Sequence, residues 1–414
     1  MQNLSAVTEN KDIATKEYVD NQTASIVTIG DLKTSAGTQS SNWLKCNGAG
    51  INASQYPALT EILQTANPTG ITITLPKTYY SSSTYHNAQG AWYYNGRRVV
   101  VCNGYLNSSS ANHPVIYTTT DLYGEWTEVE LAASGYFMVG VVYDSKWGDW
   151  VAYGYKYVSS SECYPYLFYT ADPCGKWTGF QVSSTNCKIT TGHYYNGKLV
   201  LLGKGCASGK TSYAYAYVNN SYAISFTENN YSTSHSQGIR SLAYGNGYWA
   251  YADNSTGYYY CEDPTGTWTR QTIASSGIQT RGIDYGNGTW CISAMQNSGG
   301  SGRMFYSDSI SGTWTNLGVF DVNQYNDPIR YSDGVWLTVT QDLGGGTYFY
   351  VSTDRGRTWT KKTFSHNTPY YLYAYNGTFL LCQLYGIHLF RRPNYDAPLP
   401  LLSSSFGDVY VRAK

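Results

Sequence analysis

From residue 91 onward the chain is written in short runs of alternating side chains. Trp249-Ala250-Tyr251-Ala252 puts bulky groups on one face and alanines on the other, the two-residue period of a strand. Pairs of such runs meet at Asn-Gly or similar turns: Trp92-Tyr93-Tyr94-Asn95-Gly96, Tyr143 to Trp150 around Gly148, Tyr194-Tyr195-Asn196-Gly197, Tyr244-Gly245-Asn246-Gly247, Tyr285-Gly286-Asn287-Gly288, Tyr331-Ser332-Asp333-Gly334 and Tyr375-Asn376-Gly377. Asn-Gly between two apolar strands predicts a tight hairpin, because both central residues of a type I′ turn need positive φ. Each repeat reads as strand, turn, strand, loop, strand, turn, strand. In the fourth the strands are expected at Ser241 to Tyr244, Tyr248 to Ala252, Tyr258 to Cys261 and Trp268 to Ile273.

The turn glycines at 96, 148, 197, 247, 288, 334 and 377 are spaced like four-stranded propeller blades, ~40–50 residues each. Seven blades of ~46 residues need ~322, and Ala91 to Lys414 spans 324. The expectation is a mainly β chain whose residues 79–414 form a seven-bladed β-propeller of antiparallel four-stranded blades. The seventh repeat lacks a fourth strand, which either Tyr79 to Tyr85 or Val409 to Arg412 supplies.

Composition narrows the function. Of 414 residues only 13% are charged, and 27 Lys+Arg balance 27 Asp+Glu, against ~25% charged residues in an average domain. A nucleic-acid groove or a basic membrane face needs clustered cations, and only the pairs Arg97-Arg98, Lys361-Lys362 and Arg391-Arg392 occur. Neither partner is expected, and no run approaches the ~18 apolar residues of a membrane span. The start lacks the basic and apolar regions of a cleaved leader, so synthesis in a cytoplasm is expected. The 44 tyrosines and 42 glycines fit both pleated sheets and contact surfaces, since tyrosine gives a large rigid contact at low entropy cost. Nine cysteines without a C-x-x-C pair read as reduced, buried thiols, and no metal site or cofactor is expected.

A second signature follows five of the seven hairpins; the third repeat has only Phe226 near the place of the Trp, and the seventh has neither Asp box nor Trp. Ser352-Thr353-Asp354-Arg355-Gly356-Arg357-Thr358-Trp359 matches the pattern S-x-D-x-G-x-T-W, and relaxed copies run Asp121 to Trp126, Asp172 to Trp177, Asp263 to Trp268 and Asp308 to Trp314. This resembles the Asp box of sialidase-like propellers. The resemblance implies a structural role for Asp354, Gly356, Trp359 and their counterparts, with the Trp packed between blades.

The first 90 residues lack the repeat. Ala14-Thr15-Lys16-Glu17-Tyr18-Val19-Asp20 sits in a polar stretch with apolar positions at helical spacing, which predicts a short helix that needs partners. The phrase resembles an element near the amino ends of bacteriophage tail-fibre proteins. Gly30-Asp31, Trp43-Leu44-Lys45-Cys46-Asn47-Gly48, Tyr56-Pro57-Ala58-Leu59 and Leu75-Pro76 together resemble the phage tail-collar domain, although Asn42 stands where Gly is usual and Lys77 departs from the typical ending. The expected domains are an attachment segment at 1–27, a small collar-like α+β module at 28–78 and the propeller. The resemblance implies a virion tail protein made in the bacterial host cytoplasm, homotrimeric, and joined to other tail or baseplate proteins through its amino-terminal region.

Candidate chemistry sits at the mouth of the propeller. Counting back seven positions from each turn glycine reaches the start of the innermost strand, at Gln89, Val141, Thr190, Arg240, Arg281, Asp327 and Tyr370, with Arg330 three places off register. Arg240 and Arg281 at equivalent points of adjacent blades can hold an anionic sugar by paired hydrogen bonds. Alternatively they pair with Asp327 or nearby carbonyls and simply fill the mouth. A sialidase site needs three converging arginines, a carboxylic acid and a Tyr activated by Glu, and no such Tyr/Glu couple is assignable. Tyrosine runs in the segments Tyr157 to Tyr166 and Tyr213 to Tyr231, read as the longest loops, offer Tyr157, Tyr166 and Tyr215 as platforms for sugar rings. The sequence thus points to a non-enzymatic receptor-binding adhesin that recognises a host-surface glycan or protein. A sialidase-like or other glycan-degrading hydrolase and a purely architectural tail protein are the alternatives.

Overall fold

The computed structural model describes residues 32–35, 43–45, 71–74, 85–105, 112–120, 125–132, 134–206, 212–217, 224–229, 239, 241–253, 255–274, 276–296, 302–319, 324–342, 347–363, 369–375, 378–383, 386–391, 403–404 and 407–412. All regular elements among them are strands, and the helix expected near residues 10–21 lies outside the described residues. The strands group into two units, one within 1–68 and 391–414, the other within 69–390.

In the larger unit, antiparallel four-stranded sheets follow one another along the chain. Their innermost strands are Tyr85–Tyr94, Tyr136–Asp144, Cys187–Tyr195, Ser241–Gly245, Ile278–Gly286, Gln324–Ser332 and Pro369–Tyr375. Each of these strands packs on the next, and Pro369–Tyr375 packs on Tyr85–Tyr94, so the series returns to its start. The hairpins form as the dipeptides dictate. Asn95, Asn196, Asn246, Asn287 and Asp333 have φ of 44° to 49°, and the following glycines 75° to 86°, the left-handed pair that joins two twisted strands without splaying them.

The apolar core is divided among the interfaces between successive sheets. Val99, Val101 and Ile116 of the first sheet meet Met138, Val141 and Ala152 of the second. Val200 and Leu202 of the third meet Leu242 and Tyr251 of the fourth, and Leu372 and Leu381 of the seventh meet Val335 and Val339 of the sixth. The seventh sheet packs on the first through Leu380, Ile387, Val100 and Val115. One polar clamp crosses an interface: the buried Asn103 amide donates to the Met138 carbonyl at 2.7 Å and accepts its N–H at 2.9 Å.

Tyrosines beside the hairpins link the sheets at the turn end. Tyr94 stacks on Tyr143 at 3.7 Å between centroids, Tyr195 on Tyr244 at 4.2 Å and Tyr375 against Tyr93 at 4.0 Å. Tyr285 and Tyr331 lie where a Cβ on Gly245 or Gly286 would stand, at 2.1 and 1.9 Å, so the glycines make room for the neighbouring ring.

Three expectations are corrected here. The outer strand of the seventh sheet is neither Tyr79 to Tyr85 nor Val409 to Arg412; Ile71–Thr74 pairs there with Gly386–Arg391. Gly407–Arg412 pairs instead with Leu32–Ser35 and Trp43–Lys45, in the other unit. The cysteines are not all reduced, because Cys163 and Cys206 form a disulfide between the second and third sheets, while Cys102, Cys187, Cys261, Cys291 and Cys382 are buried thiols. The runs around Tyr157, Tyr166 and Tyr215 are strands, not loops: Asp149–Ser159, Glu162–Thr170 and Ser212–Tyr217. Alternation of tyrosine with small residues is strand patterning, and it decides there.

Candidate functional site

Six of the seven innermost strands share an irregularity. The register against the second strand shifts between Ala88 and Gly90, Met138 and Gly140, Ile189 and Thr191, Thr280 and Gly282, Asn326 and Ile329, and Pro369 and Tyr371. A bulge leaves one residue unpaired and re-aims its side chain. The residues at the bulges are Gln89, Val139, Thr190, Arg281, Asp327 with Pro328, and Tyr370. Gln89, Thr190, Arg281, Asp327 and Tyr370 were reached by counting back from the turn; in the second sheet a longer turn moves the position from Val141 to Val139. In the fourth sheet the strand begins at Ser241, and Arg240 lies outside the described residues, as do the side chains of Asp327, Tyr370 and Tyr215.

At the bulged end, Arg281 is buried at 5% exposure, and one of its terminal nitrogens donates to Gln279 Oε1 at 3.1 Å and lies 2.8 Å from Met295 Sδ. Four residues before the turn glycines Gly197, Gly288 and Gly334 stand His193, Asp284 and Arg330. Arg330 is the centre of a polar axial layer. Its Nη1 reaches the Ile329 carbonyl at 2.9 Å, Ser241 Oγ at 3.4 Å and the Ile283 carbonyl at 3.5 Å, spanning the fourth, fifth and sixth sheets. The guanidinium lies 5.5 Å from the Tyr371 ring centroid, in cation–π range. Asp284 accepts the Tyr331 N–H at 2.7 Å, and the buried Tyr153 hydroxyl donates to the Gly192 carbonyl at 2.9 Å. Tyr153 fits because Gly140 and Gly192 lack a Cβ, which would stand 2.2 and 2.7 Å from its ring and hydroxyl atoms.

These neighbours set the charges. Burial pushes the Asp284 carboxyl up, against the Arg330 charge and the Tyr331 and Tyr285 amides. Burial opposes the Arg330 charge, but Tyr371 and Asp284 outweigh it and raise its pKa. Desolvation and then Arg330 push His193 down to about 3, so its imidazole is neutral at physiological pH. Burial raises Tyr153 well above its ordinary value. A general acid or base works best with a pKa near the operating pH. His193 and Tyr153 are displaced from it in opposite directions.

The Asp boxes lie at the outer edges. Asp354 takes the Ser352 hydroxyl at 2.8 Å and the Thr358 N–H and hydroxyl at 2.9 and 2.6 Å; burial works against its charge, yet these donors hold the carboxyl below its usual range. Gly356, at φ 74°, lies so close to Cys291 of the fifth sheet that a Cβ would stand 2.3 Å from the sulfur. Arg355 and Arg357 reach back to Asp308 at 3.0 and 3.5 Å. Asp172 and Asp263 cap their own turns through the Cys174 and Thr265 amides. In the fifth sheet the turn residue is Ser309, whose carbonyl accepts the Gly312 N–H as Asp172 accepts that of Gly175. Asp308 there faces the next sheet. Trp126, Trp177, Trp268, Trp314 and Trp359 each pack between their own sheet and the preceding one; Asp121 lies outside the described residues. Tyr166 likewise packs between the first and second sheets, beside Tyr136 and Phe168, and burial followed by Tyr136 pushes its hydroxyl up to about 12. Tyr157 is half-buried, its N–H donating to the Gly135 carbonyl at 2.7 Å.

The sequence matches no protein-family model and no curated protein. Solved structures do share the fold. An ulvan lyase of polysaccharide lyase family PL25 superposes with a TM-score of 0.52 at 10% identity, covering 80% of this chain and 96% of its own. YCF48 bound to a D1 peptide does so with a TM-score of 0.53 at 12% identity, over 87% and 99%. A GH74 xyloglucanase from Xanthomonas campestris gives 0.50 at 11%, covering 82% of this chain and 56% of its own. The protein is therefore mainly β with a β-propeller fold. The expectation of a protein without catalytic activity is corrected by these likenesses, since the structures that share the fold include a polysaccharide lyase and a xyloglucanase.

Proposed function

We propose that this chain is a seven-bladed β-propeller enzyme that engages and cleaves an acidic glycan at the bulged end of its innermost strands. The observation that supports the reading is the recurrence of a register shift at a similar point of six innermost strands, at Gln89, Val139, Thr190, Arg281, Asp327 and Tyr370. In this reading Arg281 and Arg240 hold a carboxylate or sulfate by charge-assisted hydrogen bonds. Asp327 and Tyr370 exchange protons with the scissile glycosidic oxygen or the carbon next to it. The ulvan lyase and the xyloglucanase, which act on polysaccharides, support the glycan as substrate class.

The amino-terminal motifs support placing the enzyme in a phage tail, as a trimer bound through that region to other tail proteins and meeting glycans of the bacterial host. The test is to incubate purified protein with acidic and neutral polysaccharides and follow two products. Hydrolysis adds water across the bond and yields reducing ends alone. Elimination removes a proton beside the uronate carboxyl, expels the glycosidic oxygen and also leaves an ultraviolet-absorbing double bond. Either product, lost in Arg281→Met with Asp327→Asn, bears the reading out; no cleavage of any acidic polysaccharide or host-surface extract overturns it. Immunogold labelling of intact virions tests the tail assignment separately.

A further inference from the structure

The smaller unit draws on two stretches of sequence, 1–68 and 391–414, and the whole larger unit, 69–390, lies between them in the chain. One strand orders its sheet. Gly407–Arg412 runs antiparallel to Leu32–Ser35 on one side and to Trp43–Lys45 on the other, and Ser403–Ser404 returns against its start. The two flanking strands are only four and three residues long. A lone pair of strands is marginal in water even at greater length, so these depend on the strand they flank.

The register aligns the motif positions with that strand. Leu32, Val411 and Leu44 fall in one row across the sheet, and Lys33, Tyr410 and Lys45 in the next. Along the central strand Val409 and Val411 alternate with Asp408, Tyr410 and Arg412, the two-residue period of a strand with one apolar face. Trp43-Leu44-Lys45 opens the longest of the collar-like motifs, and Gly30-Asp31 stands directly before Leu32. The segments that carry the tail resemblance are thus held by residues from beyond the last propeller strand, Gly386–Arg391.

We infer that the smaller unit is a tail-attachment module split in sequence around the propeller, with Gly407–Arg412 as the central strand without which its surface does not form. The inference rests on the reading of the amino-terminal region as the part that binds other tail proteins, and it adds a strand from the far side of the propeller to that part. A chain cut anywhere within 69–390 therefore carries no finished attachment surface.

The test compares the full chain with Val411→Pro. Val411 has a partner on each side, Leu32 and Leu44, so a proline there, lacking the N–H, removes a ladder hydrogen bond from one pairing or the other. Amide hydrogen exchange across Leu32–Ser35 and Trp43–Lys45 is expected to speed up about tenfold or more. Unchanged exchange across Ile278–Gly286 in the fifth sheet establishes that the propeller is folded. Val411→Ile keeps the N–H and the branched Cβ, and is expected to exchange as the unaltered chain does. A second variant ends at Leu402 and removes Gly407–Arg412 outright. Virions assembled on plasmid-supplied protein should take immunogold label, with antibody to the propeller, from the unaltered chain and from Val411→Ile, and lose it with Val411→Pro and the shortened chain. Unchanged exchange across both flanking strands in the shortened chain overturns the split module. Label retained by the shortened chain overturns the strand's part in attachment. Virions that stay unlabelled with the unaltered chain overturn the tail reading instead, while faster exchange in the variants still upholds the split unit.

Discussion

The same innermost strands carry two levels, a few residues apart, that differ in how completely their polar groups are matched. At the axial level, Arg330 has acceptors from three sheets, Asp284 has a backbone donor and a nearby cation, and Tyr153 fills the space two glycines leave. At the bulged level the strands slip register and leave single residues, among them Gln89 and Thr190, out of the ladder. A buried charge is tolerated only when it is satisfied. The axial level therefore belongs to stability, while at the bulged level the ladder is interrupted.

The sharpest way to break that division is Arg330→Met, which leaves Asp284 buried without its cation. A loss of about 4 kcal/mol in urea denaturation is expected, against less than about 0.5 for Lys188→Gln beside the third-sheet bulge. An unshifted Arg330→Met midpoint would place the functional charge on the axis. Replacing Cys163 and Cys206 by serine frees a loop whose ends are 43 residues apart, for a loss of about 4 kcal/mol in the same measurement. Next comes pH. The fold accepts His193 only as the neutral form, at a pKa of about 3 against 6.5, so the unfolded chain takes up the proton first. Its contribution is complete above pH 6.5 and falls as pH drops toward 3, by about 2 kcal/mol at pH 5. His193→Gln should flatten that part of the profile, and an unaltered slope would remove His193 from the axial layer. The smallest effect is Tyr153→Phe, which leaves the Gly192 carbonyl without its donor and costs about 1 kcal/mol by denaturant titration, with glycan binding unchanged.

The strands and hairpins were legible because their cues are local. The fourth sheet was expected at Ser241 to Tyr244, Tyr248 to Ala252, Tyr258 to Cys261 and Trp268 to Ile273, and its observed strands begin and end within one residue of those limits. Counting from the turn found the bulge residues without foreseeing a bulge, since one unpaired residue changes facing but not spacing. For that reason Arg330 looked out of register, and His193 and Asp284 were passed over, although counting four residues back finds all three. The Cys163–Cys206 pair was hidden for a different cause. It depends on which strands become neighbours, and no short window of sequence carries that. The outer strand of the seventh sheet was missed likewise, because Ile71–Thr74 precedes the first repeat.

That last pairing sets a schedule for synthesis. Ile71 faces Leu389 in the finished sheet, 318 positions later (389 − 71). At ribosomal speeds the early strand waits on the order of 15 to 60 seconds for its mate to be translated. Throughout that interval its backbone donors and acceptors are available to any other nascent edge, the usual route to exchange of segments between copies. A messenger truncated before codon 386 should therefore yield aggregated or intertwined product in place of a monomer that lacks one hairpin.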